Sequence, residues 1–173
     1  VAYIGVGSNL GDRAGNLLMA VRGLMEASFV VHKLSGIYET EPVGIETDQK
    51  FLNMVAEIHV TNVTPSQMMA RMMRIEYLLG RTDKSLKKPR TIDLDLLLFG
   101  DAIIDTELLT LPHPRLHLRR FVLKPLAKIA PNLVHPVLHQ EIADILENLD
   151  DPSEVTRWNP NNGHEAAHAE AGV

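Results

Sequence analysis

The sequence predicts an α+β fold of ferredoxin-like type, with a mainly antiparallel central sheet flanked by helices. Three observations lead there. Apolar stretches change period in the order strand, helix, strand, strand, helix, strand. The two adjacent strands break the strict alternation that a parallel sheet requires. The C-terminal part of the chain is helical, with no internal repeat and no interdomain linker. At 173 residues the chain fits one domain that removes roughly 70% of its unfolded surface from water.

Val1–Gly7 is apolar and β-prone and reads as a buried strand. Asp12 is placed to cap a helix carrying Leu17, Leu18, Val21, Leu24 and Met25 at helical spacing. Val30–Tyr38 suggests a second strand, and Glu39–Lys50, with Pro42 and Gly44 among acids, a loop. Phe51–Val60 alternates as a third strand. Thr64-Pro65 offers a capping hydroxyl with proline at the first helical position, opening a helix that runs to Leu79 and stops at Gly80. Arg81–Arg90 reads as a basic loop and Thr91–Phe99 as the clearest strand. Leu118–Ile129 has helical periodicity bent or interrupted at Pro125, and Ile142–Leu149 is a short last helix. The domain is expected over residues 1–158, with 159–173 a disordered tail of Asn, Gly, Ala, His and Glu.

Composition narrows the function. Hydrophobic residues make up 45% and charged residues 23%, near globular averages. The absence of cysteine excludes disulfides, thiolate catalysis and thiolate zinc sites. No run approaches the ~20 apolar residues of a membrane span, and the start lacks the basic region of a signal peptide. A cytoplasmic protein with no membrane partner is expected. The net charge of −5 argues against a general nucleic-acid binder. Locally the sign reverses: Arg81, Lys84, Lys87, Lys88 and Arg90 face one acid, Asp83, and a second basic stretch holds Arg115, Arg119, Arg120, Lys124 and Lys128.

The segment Pro89-Arg-Thr-Ile-Asp-Leu-Asp-Leu-Leu-Leu-Phe99 carries the most chemistry. Residues two apart on a strand share a face, so Asp93 and Asp95 point one way and Ile92, Leu94 and Leu96 the other. Side by side they repel unless a cation sits between them. From this pair alone two readings stand: a solvated polar face, or a magnesium platform for a phosphoryl group. The preceding basic loop favours the second, because cations beside an acidic pair suit a magnesium-chelated triphosphate. Gly5-Val-Gly-Ser-Asn-Leu-Gly11 fails the dinucleotide fingerprint at Leu10, and there is no P-loop. His113/His117, His135/His139 and His164/His168 are each four apart, a zinc-compatible spacing on a helix, but Pro114 and Pro136 interrupt the first two and the third lies in the tail. His113 is either a phosphate donor or a plain turn histidine. Met68, Met69, Met72 and Met73 on one helix read as core filler. Glu76 sits near that helix's C-terminus, where the dipole disfavours an acid.

Several motifs in order resemble one family: Gly7-Ser-Asn-Leu-Gly-Asp12, Tyr38-Glu-Thr-Glu-Pro-Val-Gly44, Phe51-Leu-Asn53, Gly80-Arg81, Pro89-Arg-Thr-Ile-Asp-Leu-Asp95, Leu111-Pro-His113 and Arg119-Arg-Phe-Val-Leu-Lys-Pro-Leu126. Together they are similar to the 6-hydroxymethyl-7,8-dihydropterin pyrophosphokinases of folate biosynthesis. The resemblance implies a kinase-type transferase that passes pyrophosphate from ATP to the pterin hydroxymethyl group, releasing AMP. It implies two magnesium ions on Asp93 and Asp95, with Arg81 and Arg90 acting beside them on the phosphates. ATP contacts are implied for Glu76, Arg81, Arg90, Thr110, His113 and Arg119. A pterin pocket is implied from Pro42, Val43 and Gly44, with Asn53 on the ring edge and Phe51 and Phe121 on its faces. The expected partners are these small molecules alone, for a monomer. The chain departs from the pattern of some members at Asp83 and Leu108, where arginine occurs, and at Phe51, where tyrosine occurs. Other readings of the residues are a non-catalytic ferredoxin-like binding module, a kinase yielding ADP, or an RNA-binding domain.

Overall fold

The structure is a computed structural model that describes residues 1–41, 50–80 and 91–160. Pro42, Val43, Gly44, Arg81 and Arg90 therefore lie outside the described residues, as does most of the expected tail.

The first strand, β1 (Ala2–Ser8), leads to α1 (Arg13–Glu26), which starts where the Asp12 side chain accepts from the Gly15 N–H at 3.1 Å. Then come β2 (Val30–Leu34), β3 (Tyr38–Thr40) and β4 (Phe51–His59). Helix α2 (Pro65–Leu78) opens on a capping box: Gln67 N–H donates to Thr64 Oγ1 at 3.2 Å, and Thr64 N–H donates to Gln67 Oε1 at 2.9 Å. Strand β5 (Asp93–Phe99) is next, then a small hairpin of β6 (Ile104–Asp105) and β7 (Thr110–Leu111). A 3-10 turn at Leu116–Leu118 precedes α3 (Arg120–Ile129), α4 (Ile142–Glu147) and β8 (Val155–Arg157).

The main sheet has the order β5-β1-β4-β3-β8, every pair antiparallel, with β2 also on β4. That is the expected ferredoxin-like arrangement, extended at one edge. Side chains alternate between two layers. Ile4, Val6, Leu52, Met54, Ala56, Leu94 and Leu96 form one core with Leu17, Leu24, Met68 and Met72 of α1 and α2. Tyr3, Val55 and Leu97 form a second core with Leu123 and Leu126 of α3 and Ile142 and Ile145 of α4. Each buried aliphatic side chain of this kind contributes about 1.5–3 kcal/mol. Among the described residues no helix is long and apolar enough to cross a membrane.

Three expectations need correction. The strand read over Val30–Tyr38 is two strands on the same edge of β4. Ser35 continues the ladder partly through its side chain, accepting from the Val55 N–H on Oγ at 2.8 Å, after which Gly36 and Ile37 leave it. Ile37 O instead accepts from Trp158 N–H at 2.8 Å, and a side chain on Gly36 would collide with the Arg157 guanidinium. The loop read from Glu39 begins later, because Glu39 and Thr40 pair with β4 and with β8. Pro125 does not interrupt α3: its missing N–H would have served the Phe121 carbonyl alone, so one bond is lost and the helix continues.

The C-terminal segment is stitched to α3 by polar contacts. Asp151 accepts from the Arg120 N–H on Oδ2 at 3.0 Å and from the Ser153 N–H on Oδ1 at 2.9 Å, so it caps α3 from thirty-one residues away. Arg120 also donates to Asp151 O and Leu149 O, and Lys124 Nζ to Val155 O. Burial alone would push the Asp151 carboxyl up. The N–H groups of Arg120 and Ser153, with the Arg120 charge, outweigh it and hold the group below the ordinary carboxylate value. A depressed carboxyl contributes stability that is present above its unfolded pKa and lost as pH falls through the folded one. Asp151→Ala should lower the urea-unfolding free energy at pH 7 by about 1 kcal/mol, the usual worth of a cap. The gap to the parent should narrow below the ordinary value of 3.8. An equal gap at pH 7 and pH 3 would show that the charge on Asp151 is not what holds the segment.

Candidate active site

The register of three strands builds the site. Gly7 of β1 pairs with Asn53 of β4 on one side and Asp93 of β5 on the other, and Gly5 pairs with Val55 and Asp95 in the same way. Asn53, Asp93 and Asp95 thus share the sheet face turned toward α3, with no side chain on β1 between them. The glycine at position 7 is needed for this. A Cβ there would come within 2.7 Å of Asn53 Oδ1, so any larger residue would push the amide aside. Asn53 is steadied from its other edge, where its amide donates to Thr40 Oγ1 at 3.3 Å.

Over this floor lies a cavity of about 430 Å³. Phe51, Asn53, Asp93 and Asp95 line it from the sheet, and Arg119 and Phe121 from the start of α3. The Arg119 guanidinium carbon stands 5.4 Å from the centre of the Phe121 ring, within cation–π range. Tyr38 is buried behind Thr40, between the charges of Lys124 and Arg157 at 5.8 and 5.7 Å from its ring. The cavity therefore combines half-buried carboxylates, an amide, two aromatic rings and a guanidinium, a mixture suited to a flat polar ring bearing or meeting phosphate. Asp93 and Asp95 offer only oxygen ligands on a rigid strand facing open space, which fits a hard divalent cation such as magnesium. A larger groove of about 640 Å³ between α1 and α2 contains none of the residues singled out from the sequence, so chemistry rather than size identifies the site.

Six of the expected residues thus come together: Asp93, Asp95, Asn53, Phe51, Arg119 and Phe121. Glu76, Thr110 and His113 do not line this cavity. Glu76 is buried on α2, while Thr110 lies on the β6–β7 hairpin. His113 comes just after that hairpin, beside the outer edge of β5, where its N–H donates to Leu97 O at 2.9 Å. Its Nδ1 accepts from the Arg115 N–H at 3.1 Å, so the neutral ring carries its proton on Nε2. Sequence reasoning missed Gly5 and Gly7 as site residues; their signal was two glycines spaced two apart on a buried strand. It named Arg115 only as one charge of the second basic stretch, and it missed Asp151 and Ser153, which also line the cavity. Those are distant in sequence and belong to no recognisable motif.

Arg13, at the start of α1, ties the rim together. Its Nη1 donates at 2.8 Å both to Glu39 Oε2 on β3 and to Lys50 O just before β4.

Comparison with known proteins agrees with this geometry. The sequence model of the family described as "7,8-dihydro-6-hydroxymethylpterin-pyrophosphokinase (HPPK)" matches residues 3–131. The chain is 49% identical over 130 residues to 2-amino-4-hydroxy-6-hydroxymethyldihydropteridine pyrophosphokinase of Bacillus subtilis (strain 168), covering 75% of this chain and 77% of that one. It is 37% identical over 142 residues to the protein of the same name from Aquifex aeolicus, covering 82% and 88% respectively. Folic acid synthesis protein fol1 of Schizosaccharomyces pombe is 39% identical over 158 residues; the match covers 91% of this chain and 21% of that longer protein. The fold is similar to that of Plasmodium falciparum HPPK-DHPS crystallised with pteroate, with a TM-score of 0.69 at 16% identity over 84% of this chain and 43% of that one. With the family matched across three quarters of its length and its sheet carrying the paired carboxylates in register with Asn53, the chain belongs to the 7,8-dihydro-6-hydroxymethylpterin-pyrophosphokinase family.

Proposed function

We propose that this chain transfers the β,γ-pyrophosphoryl group of ATP to the hydroxyl of 6-hydroxymethyl-7,8-dihydropterin, as its family membership implies. The hydroxyl oxygen bonds to the β-phosphorus, the bond from that phosphorus to the α,β-bridging oxygen breaks, and AMP leaves while the hydroxyl proton is released. The observation that carries the reading is the row Asn53–Gly7–Asp93, which supports a ring-binding amide and a metal-binding carboxylate facing one cavity.

In this reading the amide of Asn53 hydrogen-bonds the pterin edge, while Phe51 and Phe121 take its two faces from the sheet and from α3. Pro42, Val43 and Gly44 add backbone contacts to the ring. Asp93 and Asp95 would hold two magnesium ions, which when bound would supply neutralisation of the triphosphate charge. Arg119, Arg81 and Arg90 carry the remaining phosphate charge. Glu76, Thr110 and His113 act further out along β5 on the nucleotide, His113 as a donor through Nε2. No side chain serves as a nucleophile, so rate comes from orientation and from charge placed before the reaction.

The test is a product assay with ATP, magnesium and the pterin, separating AMP from ADP. Pterin-dependent AMP, abolished by a chelator, is expected; ADP in its place would make the protein an ordinary kinase, and no turnover by folded protein would leave a binding module. Asp95→Ala should cut turnover by at least about 10²–10³-fold with an unchanged circular dichroism spectrum. Loss of activity together with unfolding would instead give Asp95 a structural role. Asn53→Ala should raise the KM for pterin about 10–100-fold, the cost of one buried hydrogen bond, and change the KM for ATP little. An effect on ATP alone would remove Asn53 from the pterin pocket.

A further inference from the structure

A second cluster of ligand-bearing side chains stands on the same sheet face, at the far end of β4. Glu57 lies four residues beyond Asn53, about 13 Å along the strand, and His59 comes two residues later on the same face. The third member, His32, comes from β2 through an irregularity in the ladder. Val31 pairs with Ile58 and Lys33 with Glu57, so His32 and Lys33 together oppose Glu57. A bulge of this kind re-aims a side chain, and here it brings the His32 ring onto that of His59. The two rings stack at 4.1 Å with an interplanar angle of 24°. Their Nε2 atoms lie 4.0 Å (His32) and 3.6 Å (His59) from the same carboxylate oxygen, Oε1 of Glu57.

The carboxylate is built in rather than incidental. Glu57 is 7% exposed, and its other oxygen, Oε2, accepts from the Tyr3 hydroxyl at 3.0 Å. Tyr3 thereby fixes the rotation of the carboxylate and turns Oε1 toward the imidazoles. A hydrogen bond that orients a ligand in this manner is a regular companion of metal sites.

We propose that His32, Glu57 and His59 form a binding site for one divalent transition-metal ion of the zinc class. The ligand atoms of the three residues all lie within 4.8 Å of one another. Ligands about 2.1 Å from a tetrahedral ion stand about 3.4 Å apart, so the ligand atoms need to draw in by up to about 1.4 Å from 4.8 Å while the rings turn out of their stack, which rotation of two half-exposed histidines permits. Two imidazoles with one carboxylate favour zinc-like ions over magnesium, which prefers all-oxygen ligands. The set leaves a fourth position open to water. Because β2 pairs only with β4 among the described strands, the ion would staple an edge strand to the sheet, independently of the chemistry in the cavity.

The test uses the whole chain, stripped with chelator and held in excess magnesium, titrated with zinc and with cobalt as an absorbing substitute. The parent should bind one more equivalent of cobalt than His32→Ala or His59→Ala, with visible bands of nitrogen and oxygen coordination, and zinc should raise its thermal midpoint by about 5 °C. The two histidines are 48% and 45% exposed, so their removal opens no core cavity. Tyr3→Phe should keep the site but weaken zinc binding about tenfold or more. As a readout needing no variant, the imidazole nitrogen resonances of His32 and His59 should shift with zinc and not with magnesium. Equal stoichiometry and affinity in the parent and both histidine variants would overturn the proposal, as would imidazole resonances that ignore zinc.

Discussion

Strand β1 hydrogen-bonds along both edges, to β4 over Ala2–Ser8 and to β5 over Ala2–Gly7. That double ladder is the constraint on which the rest depends. Its register sets glycine against each carboxylate and against Asn53, so a gap one strand wide opens in an otherwise filled sheet. A slip of one residue on the β5 edge would exchange the faces of that strand. Asp93 and Asp95 would then turn into the apolar layer under α1 and α2, where unpaired carboxylates are costly. The same alternation that buries Leu94 and Leu96 thus holds the acids outward, and core packing keeps the site in register.

The cavity has a rigid floor and a roof that is tied down separately. Arg119 immediately precedes α3 and Phe121 lies in its first turn, and that turn is capped by Asp151 and bound to the C-terminal segment through Arg120 and Lys124. The segment then adds β8 to the outer edge of β3, whose Thr40 steadies Asn53. One stretch of chain therefore positions the roof and braces the floor. On the opposite rim Arg13 joins β3 to the residue preceding β4. Polar contacts with well-placed backbone partners serve here because the cavity interrupts the second apolar core on this face.

The sequence made long, regular elements legible. Strong periodicity identified β1, β4, α2 and β5, and Thr64-Pro65 marked the start of α2 because capping is local chemistry. The Asp93/Asp95 pair could be read as chemistry because two acids on one face of a strand contradict its propensity. The short pieces could not be read. Val155–Arg157 is a strand only because β3 offers it an edge, and the turn at Gly36 is fixed by Arg157, more than a hundred residues later. The role of Gly5 and Gly7 was hidden for a related reason: it exists only when the partners across the ladder are known. Spacing along the chain likewise singled out histidines four apart. The close pair, His32 and His59, is assembled by a bulge that no local pattern announces.

The pairing of β1 with β5 has a kinetic consequence. Gly7 and Asp93 are separated by most of the family-matched region, so closing that loop carries a larger entropy cost than any hairpin in the fold. The β4 half of the floor can form first, since Asn53 needs only β1 and β3. The acidic half must wait for the chain to emerge through Phe99 and for its last major strand to dock. A nascent or half-folded molecule would therefore present an amide-lined groove without its charged counterpart. Whatever the carboxylates accomplish waits until β5 has docked on β1.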